Sequence, residues 1–581
     1  MYDVCIIGAG QSGLVTCKTF SEQNKKLIVL EKCIDCNGMF SNIKEKDYFK
    51  WSTSRYMSGF SDFPMDKSLG IWFSVQKYID YLQSYKQHFH LDKYIQYGAF
   101  VEKCSETTKK TWKINYNING FNQTLECKHL IVSTGLNNYQ KFPKIVDDFQ
   151  GEIYHTQDIY YMDKVQWNEK FTNKKVLLIG GSESAFDIGH VLVNNHSELY
   201  YTAKNYIEWF PTGATTKENV ERMKKIDDNC LSGILNLFEN EPTDLQLNYI
   251  EYSLPEPISA LWHEYGRYFL PVINMIYFAT FLKYTGCIGP IHSHKKLAII
   301  NKTPNNLFSK YVVKRDEFML DIYENKVNII KFPDKIKGNT IFFEEENIDK
   351  QVNVDIIVCG TGYKKKFPFL DDYYTKSKYI KKMIPINTPN LAFIGFARPT
   401  MGSIASIAEM QSWWVYQYFY ENLQYSQQYS YFRNINLLDL QNDYINSLVN
   451  GCYYQKDLAK DLHIEPNMLY LMFNDWDLYT TILYNSCHPM IYRIHGAKST
   501  PESREILLDT FIPYEKKNNT TKSYCFFFMM LHLIYYIIVF LVGFLIIRNV
   551  KNIYTLFKKC KNYLFSKKEK KKKRKNKIKK E

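Results

Sequence analysis

The first 547 residues of the chain have no excess of either charge. The formal net charge of the whole chain is +14, and the stretch from Arg548 to Glu581 alone holds sixteen basic and two acidic residues, which accounts for all of it. A folded domain that binds DNA or RNA needs a basic face, because it must neutralise phosphates. The neutral body therefore excludes nucleic acid as the expected partner, and the basic character belongs to a C-terminal tail.

A disulfide framework is also missing. Thirteen cysteines, an odd number, are scattered over 581 residues, unlike the dense pairs of a small secreted domain. Cys33 and Cys36 have CxxC spacing, but no second pair accompanies them, and we interpret them as incidental thiols. The sequence also leaves no room for a cleavable signal peptide before its first apolar run. We therefore expect the protein to fold in a reducing compartment.

The first thirty-one residues do contain a dinucleotide-binding pattern. The apolar run Tyr2–Ile7 leads into a glycine-rich turn at 8–13, then a stretch with helical spacing, the apolar run Leu27–Leu30 and Glu31. This order of strand, GxGxxG turn, helix, strand and acid is typical of a Rossmann-like unit. The helix N-terminus would hold a pyrophosphate, and the acid would accept hydrogen bonds from an adenosine ribose. The predicted cofactor-binding residues here are Gly8, Gly10, Gln11, Ser12, Gly13 and Glu31.

A second pattern of the same kind begins at residue 174. The run Lys174–Ile179 leads into a glycine-containing turn, a helical stretch and the run Glu198–Thr202. No acid follows, and Lys204 stands nearby instead, which suits the 2′-phosphate of NADPH better than a free ribose. Serine replaces the middle glycine of this turn, and alanine replaces the third. The predicted cofactor-binding residues here are Gly180, Gly181, Ser182, Ser184, Ala185 and Lys204.

Later strands are predicted to complete the two sheets. Val354–Gly362 is an apolar strand that ends in a glycine turn, where Gly360 and Gly362 are further predicted cofactor-binding residues, and Leu391–Gly395 is another such strand. A helix then begins at Gly402-Ser403. In two-dinucleotide flavoproteins such a helix directs its positive end at the flavin ring, although an ordinary core helix would look the same.

Eight short segments together resemble the flavin-containing monooxygenase family, in that family's order, from residue 2 to about 425. The segments are GAGQSG at 8–13, EKCIDCNGMF at 31–40, DFP at 62–64, STG at 133–135, FQGEIYHTQDIY at 149–160, GGSESAFD at 180–187, CGTGYKKKFPF at 359–369 and GSIASIAEMQSWW at 402–414. The resemblance implies FAD on the first unit, with Gly38 among its binding residues, and NADPH on the second.

The same resemblance predicts two catalytic residues. His155 matches the histidine of the family's FxGxxxH fingerprint and would support the coupling of NADPH and flavin chemistry; a hydrogen-bonded linker histidine is the alternative. Ser52 aligns with an asparagine that many animal members place beside the reactive flavin. A serine hydroxyl has a shorter reach and one donor where the amide has two. This departure puts stabilisation of the oxygenated flavin in doubt but does not threaten FAD binding.

The implied activity is that of an FAD-containing, NADPH-dependent monooxygenase. It would pass one oxygen atom from O₂, through a C4a-hydroperoxyflavin, to a soft nitrogen or sulfur atom of a small substrate. Baeyer–Villiger-type oxygenation and uncoupled NADPH oxidation to hydrogen peroxide are alternatives within this class. Ile159 stands where the family's fingerprint usually ends in an aromatic residue, four places after the histidine. The departures at Ser52, Ser182 and Ile159 keep open another class, a catalytically inactive nucleotide-binding membrane scaffold.

The C-terminal region predicts a membrane attachment. Tyr524–Ile547 is an uncharged run of 24 residues, about 36 Å long as a helix and enough to span a bilayer core. The basic tail after it would contact anionic lipid headgroups. Lys577–Glu581 resembles an endoplasmic reticulum retrieval signal, so we expect that membrane, with the catalytic body facing the cytosol and the side of the tail left open.

The sequence therefore predicts an α/β protein with two Rossmann-like dinucleotide-binding domains and a C-terminal transmembrane or membrane-embedded helix. The predicted boundaries are 1–160 for the first part of the FAD domain, 161–330 for the NADPH domain with a helical insertion, 331–450 for the second part of the FAD domain, 451–522 for a C-terminal extension, 523–548 for the membrane helix and 549–581 for the polybasic tail.

Overall fold

The computed structural model describes most of the body of the chain. The described residues are 1–204, 207–209, 212, 216–225, 244, 312–345, 348–375, 378–399, 402–425, 448–449, 451–485, 488–511, 530, 533–534, 537 and 541. The predicted helical insertion within 205–330 and the predicted membrane helix at 523–548 fall mostly outside these residues, and the basic tail at 549–581 falls wholly outside them.

The strands of the described residues are, in chain order, β1 (Tyr2–Ile7), β2 (Leu27–Leu30), β3 (Ile95–Gln96), β4 (Ala99–Glu106), β5 (Trp112–Ile118), β6 (Phe121–Val132), β7 (Tyr139–Gln140), β8 (Glu152–His155), β9 (Lys175–Ile179), β10 (Glu198–Thr202), β11 (Glu208–Trp209), β12 (Val312–Val313), β13 (Val327–Ile329), β14 (Lys335–Lys337), β15 (Thr340–Glu345), β16 (Ile348–Asn353), β17 (Ile356–Cys359), β18 (Tyr363–Lys364), β19 (Tyr379–Ile380), β20 (Ile384–Pro385), β21 (Leu391–Phe393), β22 (Arg398–Pro399) and β23 (Leu448–Val449).

The α-helices of the same residues are α1 (Gln11–Ser21), α2 (Arg55–Ser58), α3 (Val75–His88), α4 (Thr156–Tyr160), α5 (Lys164–Phe171), α6 (Glu183–Asn194), α7 (Lys217–Lys224), α8 (Asp316–Tyr323), α9 (Asp372–Thr375), α10 (Ile404–Tyr420), α11 (Gly451–Asp461), α12 (Met468–Asn474), α13 (Trp476–Tyr484) and α14 (Ser503–Thr510).

The first sheet is organised around β1, as the N-terminal pattern predicts. Its strand order is β3-β2-β1-β6-β5-β4, and β21 also pairs with β6. The pairs among β3, β2, β1, β6 and β21 are parallel, whereas β4, β5 and the first half of β6 form an antiparallel meander. The meander is thus an antiparallel branch of the nucleotide-binding sheet. Residues Val4–Ile7 are buried because both faces of β1 are covered. Val4 and Ile6 lie in an apolar cluster with α1 and α10, whereas Cys5 and Ile7 lie in a cluster with side chains of β4, β5 and β6.

The second sheet is wholly parallel, in the order β13-β10-β9-β17-β8. It takes strands from both sides of the predicted domain boundaries at 160 and 330. Glu152–His155 was placed by sequence in the first unit and lies at the edge of this second sheet, and Ile356–Cys359 lies in the second sheet as well. An apolar run of four residues does not reveal which sheet it will join. The sequence therefore could not predict that these strands pair across the predicted domain boundaries.

The C-terminal extension packs into the first unit. Helix α1 lies against α10, where the Thr19 and Ser412 hydroxyls are 2.8 Å apart. Tyr492 and Leu507 are fully buried in the same apolar cluster as α1 and α10. Burial of large side chains of this kind contributes about 1.5–3 kcal/mol each. The extension is therefore part of the core of the body.

Within the described residues, we find no helix that combines the length and the apolar character needed to cross a bilayer.

Candidate functional site

The first glycine turn is built so tightly that two of its glycines cannot be replaced without a backbone shift. Gly8 has φ +99°, and a Cβ there would lie 2.7 Å from the Ser133 carbonyl oxygen. A Cβ on Gly13 would lie 1.9 Å from the Gly8 carbonyl oxygen. These contacts press the start of α1 against the end of β1, which fixes the direction of the helix N-terminus.

Gly10 plays a different part, because its surroundings are open. A Cβ there would lie 3.6 Å from the Gly38 Cα atom, an ordinary contact. Gly10 is also the N-cap of α1 and provides no side chain to cap the helix. The first-turn N–H groups, from Gln11 onwards, therefore face a cradle between two glycine backbones. This arrangement fits a pyrophosphate, which binds to such groups.

Glu31, the predicted ribose ligand, is buried and already holds the turn together. Its two carboxylate oxygens accept hydrogen bonds from the backbone N–H of Ala9 at 2.6 Å and of Cys33 at 2.8 Å. Each oxygen of an ionised carboxylate has more than one acceptor site. The fixed carboxylate can therefore accept further hydrogen bonds from a ribose beside the turn.

A third glycine contact closes the first site, and sequence reasoning had assigned it no role. Gly395 follows β21 with φ +85°, and a Cβ there would lie 2.2 Å from the Ser12 Oγ atom. Its N–H donates to Gln411 Oε1 at 2.8 Å. The strand end thus packs directly on the first turn of α1. A glycine after an apolar strand was the available signal.

The second glycine turn is packed as tightly as the first, against other backbone segments. Gly180 has φ +156°, and a Cβ there would lie 2.4 Å from the Gly360 carbonyl oxygen. A Cβ on Gly360 would in turn lie 2.7 Å from the Ala185 Cβ atom. Ser182 is the N-cap of α6 without a side-chain cap hydrogen bond, and its Oγ atom lies 3.3 Å from that of Ser184. The α6 N-terminus is therefore open to an anion in the same way as that of α1.

One cavity of about 1150 Å³ joins the two turns. Its wall includes Gln11, Ser52 and Met39 from the first unit. From the second unit and its neighbours come Gly180, Gly181, Ser182, Ser184, Lys204, Gly360 and Gly362. Gly402, Ser403 and Ile404 add the start of α10. A cavity that touches two dinucleotide turns can hold two dinucleotides with their reactive ends together.

Ser52 lies half-buried on the cavity wall, in a segment held by aromatic stacking. The ring of Trp51 stacks on Tyr78 at 3.8 Å, and the Tyr78 hydroxyl donates to Gln11 Oε1 at 2.6 Å. Ser52 is therefore placed on the same side of the cavity as the first turn of α1. Its position suits the role that the resemblance gives it, which stays a prediction.

His155 is not among the residues that line the cavity, and its predicted catalytic role stays a prediction. It is fully buried at the N-cap of α4, where Nδ1 accepts from the Gln157 N–H at 3.2 Å. The other ring nitrogen, Nε2, lies 3.0 Å from the Gly362 carbonyl oxygen and donates to it. Burial lowers the pKa of His155, and the Gly362 hydrogen bond only partly offsets this. A neutral ring that joins two backbone segments supports the glycine turn at Gly362, which is on the wall.

The CxxC cysteines do not reach the cavity wall either. Cys36 is buried with its Sγ atom 3.1 Å from the Tyr97 hydroxyl. Burial raises the pKa of Cys36 to about 11, so the thiol is neutral near pH 7 and a poor nucleophile.

An ionic cluster on the second unit was missed altogether. Arg315 lines the cavity and pairs with Asp187 of α6, with Glu183 at 3.6 Å. Burial raises the pKa of Glu183, an effect that the nearby Arg315 opposes. Arg315 lies 128 residues from Asp187, in a stretch where no motif was visible, and no sequence signal could have joined the two.

Comparison with known proteins agrees with this geometry. The model of the FMO-like family, described as flavin-binding monooxygenase-like, matches residues 2–209 and 288–549. The chain belongs to this family. That membership confirms the predicted enzyme class, an FAD-dependent oxidoreductase, and the two predicted cofactors, FAD and NADPH. The residues at both glycine turns fit these groups.

The relatives in this family match nearly full-length. The chain is 26% identical to a 4-hydroxybenzoate brominase (decarboxylating) from Marinomonas mediterranea, which covers 87% of this chain and 92% of the relative. It is 24% identical to flavin-containing monooxygenase 5 from Mus musculus, with 87% and 91% covered.

Solved structures share the α/β fold. S-allyl-L-cysteine S-oxygenase from Allium sativum is 15% identical with a TM-score of 0.51, over 88% of this chain and 97% of the other. Cyclohexanone monooxygenase in an open form is 14% identical with a TM-score of 0.51, over 79% and 97%.

Proposed function

We propose that the protein transfers one oxygen atom from O₂ to a soft nitrogen or sulfur atom of a small substrate, at the expense of NADPH. The observation that carries the proposal is the single cavity that touches both glycine turns, Ser52 and the start of α10. A nucleotide-binding scaffold without catalysis could keep two open helix N-termini, but it would not need them to face one space.

Bound FAD and NADPH would supply the reduction and oxygen-transfer chemistry. The α1 N-terminus, Gly10 and Gly38 would hold the FAD pyrophosphate, with Glu31 on the ribose. The α6 N-terminus and Lys204 would hold NADPH, because N–H groups and a lysine both favour phosphate.

The remaining cavity wall would exclude water from the reacting groups. Phe40, Trp51 and Tyr363 bring aromatic surface to the cavity, and the Phe40 and Trp51 rings lie 4.9 Å apart. Exclusion of water lowers the dielectric constant in the cavity and so strengthens each hydrogen bond made there. Gly402, Ser403 and Ile404 line the cavity, so the positive N-terminal end of α10 lies at the wall, where negative charge on a flavin ring would be stabilised.

Ser52 gives the specific observation behind a second candidate, partly uncoupled NADPH oxidation. Its hydroxyl can donate one hydrogen bond from the cavity wall, where an asparagine could donate two. If Ser52 holds the oxygen-bearing group more weakly than an asparagine would, hydrogen peroxide would be released in place of oxygenated product.

One experiment separates these readings. The purified full chain is examined for flavin absorbance, and NADPH and air are then added while oxygen uptake and peroxide are followed. Oxygen uptake that rises with a thioether or tertiary amine supports the proposal, and a rise with ketones alone would move it to the Baeyer–Villiger type. Because two relatives carry the name 4-hydroxybenzoate brominase, 4-hydroxybenzoate with bromide belongs in the same panel. A colourless protein, which holds no flavin, would favour the inactive scaffold over the enzyme.

We also propose that the C-terminal region binds membrane lipid, at the endoplasmic reticulum and with the body facing the cytosol. Five residues of the uncharged run are described, all helical and each at least 38% exposed: Met530, Leu533, Ile534, Ile537 and Leu541. Their spacing puts them on one face of a helix. An exposed apolar face followed by a basic tail suits an anionic bilayer.

Vesicle co-sedimentation tests the lipid proposal. The full chain should bind vesicles with anionic lipid, and Ile537→Lys with Leu541→Lys should weaken binding because both charges fall on the exposed face. A matched pair of lysines at Phe100 and Phe121, exposed apolar residues of the first sheet, should change nothing. Equal binding by both double variants would contradict the proposal.

A further inference from the structure

A short segment at the start of α8 joins the two units beside the cavity. Residues 314–317, the two residues before α8 and the first two of the helix, are called the clasp loop here. The backbone N–H of Lys314 donates to Glu183 Oε1 at 3.1 Å, at the first residue of α6. The Arg315 carbonyl oxygen accepts from Trp209 Nε1 at 3.0 Å. The clasp loop is thus fixed to the second unit through its backbone.

The side chains of the clasp loop reach the first unit. Arg315 pairs through Nε with Asp187 of α6, and its Nη2 donates to the Lys50 carbonyl oxygen at 2.7 Å. Lys50 Nζ lies 2.8 Å from Glu317 Oε1 and forms a second link. Lys50 stands two residues before Ser52. One guanidinium therefore connects the helix at the NADPH turn to the segment that carries Ser52.

The environment of Arg315 favours a persistent contact. Its side chain is 8% exposed and that of Asp187 is 13% exposed. Asp187 is held from its other side by the Tyr160 hydroxyl at 2.8 Å. Burial lowers the pKa of Arg315, but Asp187 and Glu183 outweigh this and raise the pKa above its usual range. A charged, buried fork with two acceptors gives a defined geometry that a flexible surface pair lacks.

We propose that Arg315 is a positioning residue that sets the orientation of NADPH on α6 relative to the flavin side of the cavity at Lys50–Ser52. Transfer between two bound cofactors depends steeply on their distance and alignment. The glycine turns hold each cofactor to its own unit, and Arg315 holds the two units to each other. The inference rests on the two-cofactor chemistry proposed above.

The Arg315→Lys variant tests this role because it keeps the charge and removes the fork. Lysine can still neutralise Asp187, whereas the second hydrogen bond, to Lys50, is lost. We expect NADP⁺ to bind the oxidised holoenzyme within about threefold of the wild-type affinity, measured by calorimetry. Anaerobic reduction of the flavin by NADPH should be about tenfold slower, measured by stopped-flow absorbance. Reduction without oxygen keeps this test separate from the oxygen-transfer proposal.

Arg222→Lys is the matched control. Arg222 makes the same kind of fork to Asp321 and Glu324, between α7 and α8, and it is not on the cavity wall. This variant should leave both measurements unchanged. An equal loss in both variants, or wild-type reduction by Arg315→Lys, overturns the proposal.

Lys50→Met keeps the proposal testable if Arg315→Lys does not retain FAD. The Lys50 side chain is 45% exposed, so its loss should not unfold the protein, and it removes only the second link. Reduction should slow by about twofold to threefold with FAD fully bound, since an exposed ion pair contributes little. If Lys50→Met is reduced at the wild-type rate and Arg315→Lys does not retain FAD, Arg315 stabilises the fold and its positioning role is overturned.

Discussion

A pair of alanine substitutions in the first glycine turn separates packing from cofactor binding. In Gly13→Ala, the new Cβ lies 1.9 Å from the Gly8 carbonyl oxygen and 2.8 Å from its carbonyl carbon. That carbonyl cannot move away freely, because the Gly8 N–H is bonded to the Leu30 oxygen at 2.8 Å. In Gly10→Ala, the new Cβ lies 3.6 Å from Gly38, which requires no shift.

The two changes should therefore differ in magnitude and in kind. Overpacking costs about 1–3 kcal/mol where side chains can adjust, and Gly13 meets backbone, so we expect about 3 kcal/mol or more. Gly10 has φ −69°, which alanine adopts readily, so the apoprotein should be as stable as wild type or slightly more so. The Gly10 methyl group nevertheless projects into the space before α1, where it would crowd a pyrophosphate.

The assay follows flavin content after purification and thermal unfolding of the flavin-free proteins by circular dichroism. Gly13→Ala should lose flavin and unfold at a lower temperature than wild type. Gly10→Ala should unfold at the same temperature as the wild-type apoprotein, yet bind FAD more weakly. A fully yellow Gly13→Ala protein of wild-type stability would refute the packing argument. Undiminished FAD affinity in Gly10→Ala would refute the placement of the pyrophosphate.

Three further predictions follow from single residues. Lys204→Ala should reduce the preference for NADPH over NADH, seen as a rise in KM for NADPH alone, and equal use of both nucleotides by the wild type would contradict it. Ser52→Asn should reduce the peroxide released per NADPH consumed by about tenfold to a hundredfold, since one hydrogen bond to a charged group is worth about 1.5–3 kcal/mol; unchanged peroxide would show that another group fills the role. Burial lowers the pKa of His488 to about 4 from an unfolded value near 6.5, so stability present above pH 6.5 should fall by about 1.4 kcal/mol per pH unit between pH 6.5 and 4. His488→Gln should flatten that part of the urea-unfolding profile, and an unchanged slope would assign it to other groups.

The sequence predicted the parts of the fold that are local. Strand, glycine turn and helix follow one another within twenty residues at 2–21 and at 175–194, and both units have the structure that their patterns indicate. Helix α3 is local in the same sense, since its buried residues Tyr78, Tyr81, Leu82 and Tyr85 recur at helical spacing. Each of these elements is decided by neighbours along the chain, so propensity and spacing suffice.

The sequence could not predict contacts between distant segments. The buried group of Asp62, Glu409 and Arg493 is an example: Arg493 Nη2 lies 3.1 Å from Asp62 Oδ2 and 3.2 Å from Glu409 Oε1. Asp62 was visible only as part of a motif, and Arg493 not at all. Burial of such charges is tolerated only when they are paired, so the cluster forms after three separate segments have come together. The contact of His155 with Gly362 could not be predicted for the same reason, because the two residues lie 207 positions apart.

For the same reason, each candidate cofactor site depends on distant parts of the chain as well as on its own glycine motif. Gly8 is pressed on Ser133, Gly180 is pressed on Gly360, and Ser12 is pressed on Gly395. In each case a glycine motif is completed by the end of a strand that comes much later in the chain. The helix N-termini can be aimed at phosphates only once those strands have joined their sheets, since a free glycine turn would populate many conformations. The proposed binding of FAD at α1 should therefore depend on β21, some 380 residues downstream, and flavin retention should report correct folding across both halves of the first sheet.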